Sequence, residues 1–134
     1  DSGKRTIYRF DYDPDTGTLT NLADTPIFIQ TPEGEGVPDG LTVDTEGYIW
    51  SARWDGGCLV RYTPEGVEDL RIAFPAKKVS SVTFGGPDYR DIYVTTAGGD
   101  KKEKEGPGAG ALFRLRLGIQ GKPEFLSKIK TRTS

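Results

Sequence analysis

The chain offers few side chains that could do chemistry, and simple counts narrow the choice. Its 134 residues include no histidine and a single cysteine, Cys58. Nucleophile systems that rely on an imidazole base are therefore excluded, as are zinc sites built from histidine or from several thiolates. The chemistry that remains must use carboxylates, amides, arginine, lysine, tyrosine or a metal held by oxygen ligands.

One carboxylate is a better candidate than the others, that of Asp39 in the stretch GVPDGLTVDTEGYIW. By local sequence alone, Pro-Asp-Gly is typical of a turn with its carboxylate in solvent. The aspartate also immediately precedes a short apolar run, Leu41–Val43, so the strand that follows would hold it in a fixed place. Carboxylates that several strands bring together can bind a hard cation. Asp39 is therefore the candidate metal ligand, and a turn position is the alternative.

Charge and hydropathy argue against two classes of partner. The formal net charge is −2, and the basic residues are scattered, so nothing favours binding to nucleic acid or to an anionic membrane surface. No run of 18 apolar residues occurs, so no membrane-spanning helix is predicted. A single cysteine fits a reducing compartment, which predicts a cytoplasmic location.

The elements that must position Asp39 are predicted to be strands. Short runs rich in β-branched and aromatic residues alternate with clusters of glycine, proline and aspartate. No window longer than ten residues shows helical periodicity. The predicted strands are Thr6–Tyr12, Thr18–Leu22, Pro26–Gln30, Leu41–Val43, Tyr48–Trp54, Cys58–Tyr62, Val67–Phe74, Ser80–Phe84, Asp91–Thr95, Ala111–Leu117 and Pro123–Ser127.

A repeat with a period of just over 50 residues runs through the chain. The segments IYRF, LVRY and LFRL share the pattern apolar, any residue, arginine, apolar. They begin at residues 7, 59 and 112, so the offsets are 52 and 53. The second and third segments each follow a short apolar strand, a polar turn and a longer strand. Units of this length with about four strands are typical of β-propeller blades.

The chain is therefore predicted to be all-β and to form part of a propeller. Propellers close with four to eight blades, and this length supplies about two and a half. Either the chain is a fragment of a longer protein, or copies of it assemble into a ring. A β-sandwich of similar strands is the alternative. In a propeller, residues entering the innermost strand of a blade face the mouth of the central channel, and Asp39 has that position.

Two further features bear on the site. The charged, glycine-rich segment Ala97–Gly110 is predicted to be a mobile surface loop between strands, with a lid over the site as the alternative. Trp50 and Trp54 could flank a substrate, but strand alternation puts both on one face, which predicts packing between blades.

Several motifs resemble the gluconolactonase/regucalcin (senescence marker protein) family. PDG, EGYIW, FGGPD and YVTTA occur in the family's order, within a similarity that extends from about Thr6 to Leu117. The resemblance implies a six-bladed β-propeller, of which residues 1–134 would be the C-terminal part of a single domain. It also implies one divalent metal ion, Ca²⁺ or Zn²⁺, in the channel mouth. The aspartate of the family's Pro-Asp-Gly motif is a metal ligand, and it falls on Asp39.

The resemblance further implies that the intact protein hydrolyses sugar lactones. The cation would polarise the lactone carbonyl and activate water, and Asp39 would hold the metal and accept a proton. The family's other ligands and its sugar-binding residues belong to the N-terminal half and have no counterparts in this chain. The isolated chain is therefore expected to be inactive. The alternatives are a calcium-binding or ligand-binding propeller without turnover, and a structural piece whose edges pair with copies of itself.

Overall fold

The structure, a computed structural model, describes residues 1–24 and 26–125, and its regular backbone is almost entirely in short strands. The strands are β1 (Thr6–Tyr8), β2 (Tyr12–Asp13), β3 (Thr18–Leu19), β4 (Ile27–Gln30), β5 (Val37–Val43), β6 (Ile49–Trp54), β7 (Cys58–Tyr62), β8 (Glu68–Ala73), β9 (Val79–Gly85), β10 (Asp91–Thr96) and β11 (Leu112–Leu115). Also present are one α-helix, α1 (Lys102–Glu105), and three 3-10 turns, Ser2–Lys4, Leu22–Asp24 and Gly99–Lys101. Within these residues, no helix is long and apolar enough to span a membrane.

The strands form successive antiparallel sheets that correspond to propeller blades. The second blade is a complete four-stranded meander in the order β5, β6, β7, β8. The third blade contains β9, β10 and β11. The first blade contains β1 paired with β4, and the separate hairpin β2–β3 lies between them in the chain. The all-β propeller prediction is confirmed against the sandwich alternative, and the described sheets do not close into a ring.

The three repeat segments begin on equivalent strands, so the predicted repeat is confirmed. Leu59 lies on β7 and Leu112 on β11, which are the third strands of the second and third blades. Ile7 lies on β1, which pairs with the last strand of its own blade and so has the same position. The repeat therefore marks the third strand of each blade.

The arginine of the second repeat segment lies at the centre of a buried ionic cluster. Arg61 donates from Nε and Nη2 to Oδ2 of Asp44, over 2.9 and 2.7 Å. Asp44 directly follows β5, and its side chain is fully buried. Burial alone would lower the pKa of Arg61, but its hydrogen bonds to Asp44, Asp69 and Glu46 raise the pKa instead. The guanidinium therefore stays charged inside the blade.

The Asp44 carboxylate also orders the turn that joins β5 to β6. Its Oδ1 accepts the backbone N–H groups of Glu46 and Tyr48, each over 3.0 Å, and its Oδ2 accepts the indole N–H of Trp50 over 3.0 Å. With the two bonds from Arg61, one carboxylate thus accepts five donors. Such saturation offsets the cost of burying a charge.

The main hydrophobic core lies between the second and third blades. Its buried residues are Trp50, Ala52, Leu59, Val79, Val82, Phe84, Ile92 and Val94. The Trp50 indole meets the Phe84 ring edge-on, with 5.8 Å between ring centres. On the same face of β6, the Trp54 ring lies 5.6 Å from Nζ of Lys78, which precedes β9. Both tryptophans therefore contact the neighbouring blade, as strand alternation predicts.

Some predicted strands are longer than the observed ones. At their ends the backbone bonds to a side chain or enters a turn and does not continue the strand. The strand predicted at Thr6–Tyr12 ends at Tyr8. Beyond it, the N–H of Asp11 donates to the Asn21 side chain over 2.8 Å. The strand predicted at Thr18–Leu22 ends at Leu19, since a 3-10 turn begins at Leu22. Likewise, the strand predicted at Ala111–Leu117 is limited to β11.

The strand predicted at Pro123–Ser127 is wrong for its described residues, 123–125, which are not in a strand. After β11 the chain instead returns to the second blade, where Gly121 forms an isolated bridge with Asp44. There the carbonyl of Gln120 accepts the N–H of Thr45 over 2.9 Å. Residues 126 and 127 lie outside the described residues.

The buried ionic cluster predicts a large difference between two Asp→Asn substitutions. Asp44→Asn removes the buried charge that pairs with Arg61, and we expect it to lower the free energy of unfolding by about 3 kcal/mol. Asp69→Asn removes a partly exposed partner of the same arginine and should cost less than about 1 kcal/mol. Urea denaturation of both variants measures the difference, and equal losses would contradict the assigned importance of Asp44.

Candidate functional site

Asp39 lies inside β5 and not before it, which corrects the prediction that a strand begins at Leu41. The register passes from Pro38 opposite Arg53 to Leu41 opposite Ser51, so β5 contains one extra residue at Asp39–Gly40. This is a β-bulge, a feature that redirects a side chain and often occurs next to functional sites. The bulge therefore explains how an aspartate within a strand can be exposed at the sheet edge.

The glycine of Pro-Asp-Gly is required by packing between blades. Gly40 is not among the glycines with positive φ, so no left-handed turn explains its identity. A Cβ placed on Gly40 would lie 2.5 Å from Oγ and 2.7 Å from Cα of Ser81. The first strands of the second and third blades thus approach each other closely beside Asp39. The turn interpretation of this tripeptide is wrong.

Asp39 borders an open groove between β5 and the first blade. The groove has a volume of about 340 Å³ and is lined by Asp1, Ser2, Thr6, Ile7, Tyr8, Phe10, Pro38, Asp39 and Leu41. Ser2 donates its hydroxyl to the Pro38 carbonyl over 2.8 Å, which holds the N-terminal residues beside the bulge. Among the described residues, none donates a hydrogen bond to the Asp39 carboxylate. Its oxygens are therefore available to a ligand.

The third blade presents hydroxyl groups at the position equivalent to Asp39. The register between β9 and β10 shifts after Val79, so β9 has its own irregularity at Ser80. The Ser80 hydroxyl lies 2.8 Å from that of Thr95 on β10. Sequence reasoning missed both residues, although aligning the first strands of the repeat would have paired Ser80 with Asp39.

The described residues do not complete a metal site around Asp39. No group of three or more aspartate, glutamate, cysteine or histidine side chains that could hold a metal occurs in residues 1–24 and 26–125. The second carboxylate of the groove, that of Asp1, accepts the backbone N–H of Lys4 over 3.1 Å and lies 3.9 Å from its ammonium. One free carboxylate is too few for a cation that prefers six or more oxygen ligands.

The segment Ala97–Gly110 is folded and packed, which corrects its prediction as a mobile loop. It contains the turn Gly99–Lys101 and helix α1, and it joins β10 to β11 at the end where β9 begins. Its backbone bonds to the link between β8 and β9, with Lys77 donating to the Glu105 carbonyl over 2.8 Å and Gly108 to the Pro75 carbonyl over 2.7 Å. We call this segment the insertion.

A buried salt bridge fixes the insertion. The Glu105 carboxylate, with 5% of its side chain exposed, lies 2.6 Å from Nζ of Lys78, which also lies 3.2 Å from Asp55. The hydrogen bond from Lys78 holds the pKa of Glu105 below its usual range, and Glu105 raises the pKa of Lys78. A Cβ on Gly98 would lie 2.8 Å from Cγ of Glu105, so glycine is needed at that position.

Cys58 is a buried structural residue. It lies on β7, with 4% of the residue exposed. Burial raises the pKa of its thiol, and a protonated thiol is a poor nucleophile. The thiol therefore adds no chemistry to the groove.

The salt bridge predicts that the insertion loosens when Glu105 loses its charge. Because the folded-state pKa of Glu105 is lowered, the bridge stabilises the fold above the ordinary pKa of 4.5 and is lost as the pH falls below it. At neutral pH, we expect Glu105→Gln to speed tryptic cleavage after Lys102 and Lys104 several-fold. The control Glu103→Gln changes an exposed neighbour, and equal cleavage rates in the two variants would refute the anchoring role of Glu105.

The chain is similar in sequence to one protein family and to known proteins. The family model described as SMP-30/gluconolactonase/LRE-like region matches residues 1–98. Pentonolactonase XacC of Haloferax volcanii is 49% identical, over 94% of this chain and 45% of its own length. Regucalcin of Danio rerio is 37% identical, over 89% of this chain and 41% of its own length.

A solved structure agrees with the sequence relatives. The calcium-binding protein regucalcin from Agrobacterium tumefaciens superimposes with a TM-score of 0.84 at 31% identity, over 96% of this chain and 44% of that chain. The chain therefore spans less than half the length of each of these proteins, and it matches them along most of its own length.

Proposed function

The chain belongs to the SMP-30/gluconolactonase/LRE-like family, and from this premise we propose that the intact protein is a metal-dependent hydrolase of sugar lactones. The family resemblance inferred from the motifs is confirmed. In this proposal residues 1–134 are the C-terminal part of one propeller domain, Asp39 is a ligand of a divalent cation, Ca²⁺ or Zn²⁺, and the substrate is a small sugar lactone. The location predicted for the protein, the cytoplasm, is part of the same proposal.

The exposed bulge carboxylate is the observation that carries this proposal. Most other buried or strand-borne carboxylates of the chain are engaged in salt bridges, among them Asp44, Asp91 and Glu105. Asp39 is exposed, has no such partner among the described residues and borders a groove. A carboxylate that a bulge holds in place, and that no structural contact uses, is available to bind a ligand. The name of the relative from Haloferax volcanii, a pentonolactonase, supports a lactone as that ligand.

The residues of this chain do not by themselves fit a divalent cation, because Asp39 is a single carboxylate. We therefore assign no reaction step to a metal and propose that the further oxygen donors come from the rest of the intact protein. The role left to Asp39 is to hold the ion and to accept a proton from the water that adds to the lactone carbonyl carbon. Breaking the ring C–O bond then yields the hydroxy acid, with the proton held by Asp39 passing to the departing alkoxide oxygen.

A calcium-binding or ligand-binding propeller without turnover is the second candidate. The solved relative from Agrobacterium tumefaciens is named a calcium-binding protein, which favours ion binding without deciding on catalysis. Measured turnover separates the two candidates, whereas ion binding alone does not.

The first test compares lactone hydrolysis by the full-length protein with hydrolysis by its Asp39→Asn variant. We expect kcat/KM to fall by a factor of about 100 or more, because the substitution removes both a ligand and a proton acceptor. A chelator should abolish the activity, and added Ca²⁺ or Zn²⁺ should restore it. The 134-residue chain alone should show no activity above background.

The control for this test is Asp15→Asn, which changes an exposed aspartate at the β2–β3 hairpin. It should leave kcat/KM unchanged. Full activity in Asp39→Asn would exclude Asp39 from the site. Ion binding by a wild-type protein that opens no lactone would favour the candidate without turnover.

A further inference from the structure

The first strands of the second and third blades begin at the same end of the fold, side by side. Val37, the first residue of β5, pairs with Trp54. The Trp54 ring lies 5.6 Å from Nζ of Lys78, the residue that precedes β9. Further along the two strands, a Cβ on Gly40 would lie 2.7 Å from Cα of Ser81. The starts of β5 and β9 are therefore in contact.

The apolar residues of these two strands follow the same spacing, three and then two residues apart. They are Pro38, Leu41 and Val43 on β5 and Val79, Val82 and Phe84 on β9. This spacing aligns Asp39 with Ser80, and in both strands the register with the next strand shifts at that point. Ser80 therefore has in the third blade the place that Asp39 has in the second.

Ser80 forms a pair of hydroxyl groups with Thr95 on β10, with 2.8 Å between the two oxygens. A hydroxyl group can donate one hydrogen bond and accept two. Because the contact within the pair uses one donor, the pair retains one O–H donor and several acceptor sites. Among the described residues neither hydroxyl has another partner, and Ser80 is partly exposed and Thr95 exposed. The pair can therefore accept from and donate to an external hydroxyl group at the same time.

The backbone that carries this pair is held on both sides. The Thr96 hydroxyl lies 2.8 Å from the carbonyl oxygen of Ala111 and 3.0 Å from that of Gly108 in the insertion. Ala97 donates its N–H to the Lys78 carbonyl over 2.9 Å. These contacts join the end of β10 to the insertion and to the start of β9. The pair is therefore preorganised, which reduces the entropy lost when a ligand binds.

Other hydroxyl groups of the described residues mostly have a structural contact. That of Thr45, for example, donates to a main-chain carbonyl over 3.0 Å. A second exposed pair, Thr16 and Thr18 with 2.7 Å between the oxygens, belongs to the β2–β3 hairpin, where Thr16 also donates to an aspartate of the turn. The pair on β9 and β10 has no such contact, so it is available to a ligand.

We propose that the Ser80–Thr95 pair binds one hydroxyl group of the sugar lactone on which Asp39 acts, and that this contact determines which lactones are accepted. The inference rests on the proposed function and names a determinant of its specificity. Because Gly40 and Ser81 are in contact, the residues directly before them lie within reach of one small ligand. A site that bonds a substrate hydroxyl rejects analogues without it, because its own polar groups are then left unpaired.

Hydrolysis of pentonolactones, and of analogues that each lack one hydroxyl group, tests this contact in the full-length protein. For the wild type, we expect one deoxy analogue to have a kcat/KM about 10-fold or more below that of its parent. Ser80→Ala and Thr95→Val should each lower kcat/KM for the parent by about 10-fold, mainly through KM, and should abolish the difference between parent and analogue. Thr95→Ser keeps the hydroxyl and should behave as the wild type does.

The matched control is Thr18→Val, which removes a hydroxyl from the exposed pair of the β2–β3 hairpin. It should leave kcat/KM and the discrimination between parent and analogue unchanged. The melting temperature should be the same in all variants, because the substituted side chains are at least partly exposed. Wild-type kcat/KM and wild-type discrimination in Ser80→Ala and Thr95→Val would overturn the proposal.

The failure of this inference can be distinguished from the failure of the proposed function. If the full-length protein opens no lactone, the proposed function fails, and calorimetric binding of the same lactones decides on the pair. An affinity that Ser80→Ala lowers by about 10-fold would support a hydroxyl-binding site in a propeller without turnover. An unchanged affinity, or no binding, would overturn the role of the pair.

Discussion

The buried pair of Asp44 and Arg61 is the interaction on which the second blade depends. A carboxylate with no exposed surface would be severely destabilising without compensation. It is compensated because the turn that follows the first strand, the Trp50 indole on the second strand and Arg61 on the third strand all direct donors at it. Each of these elements is consequently fixed relative to the others. The β-bulge at Asp39 lies at the other end of the strand that this cluster anchors.

The arginine of the repeat segment has a different partner in each blade. Arg114 on β11 pairs with Asp91 at 3.0 Å, and Arg116 adds a second contact at 2.9 Å. Arg9 of the first repeat segment instead donates to the Pro64 carbonyl of the second blade, over 2.7 Å, and stacks on Phe28. The repeated spacing therefore places a long cationic side chain on or next to the third strand, and the neighbouring residues decide what it binds.

The sequence predicted the fold well, because strands, turns and the repeat are local or periodic signals. The repeat segments located the third strands, and alternation correctly placed Trp50 toward the next blade. Asp39 was identified as the candidate residue, but its place within a strand was not. A bulge depends on register with β6, and the need for Gly40 arises from Ser81 about 40 residues away. Neither contact can be read from the Pro-Asp-Gly triplet.

The insertion is a second element whose packing could not be predicted from local sequence. Its composition, rich in glycine and lysine, is typical of a mobile loop, yet four of its glycines make close approaches that a side chain would block: Gly98, Gly106, Gly108 and Gly110. Here the glycines allow close packing and do not make the backbone flexible. Glu105 is buried, and the ammonium group of Lys78 replaces its contact with solvent. This charge pair and the backbone contacts order the insertion.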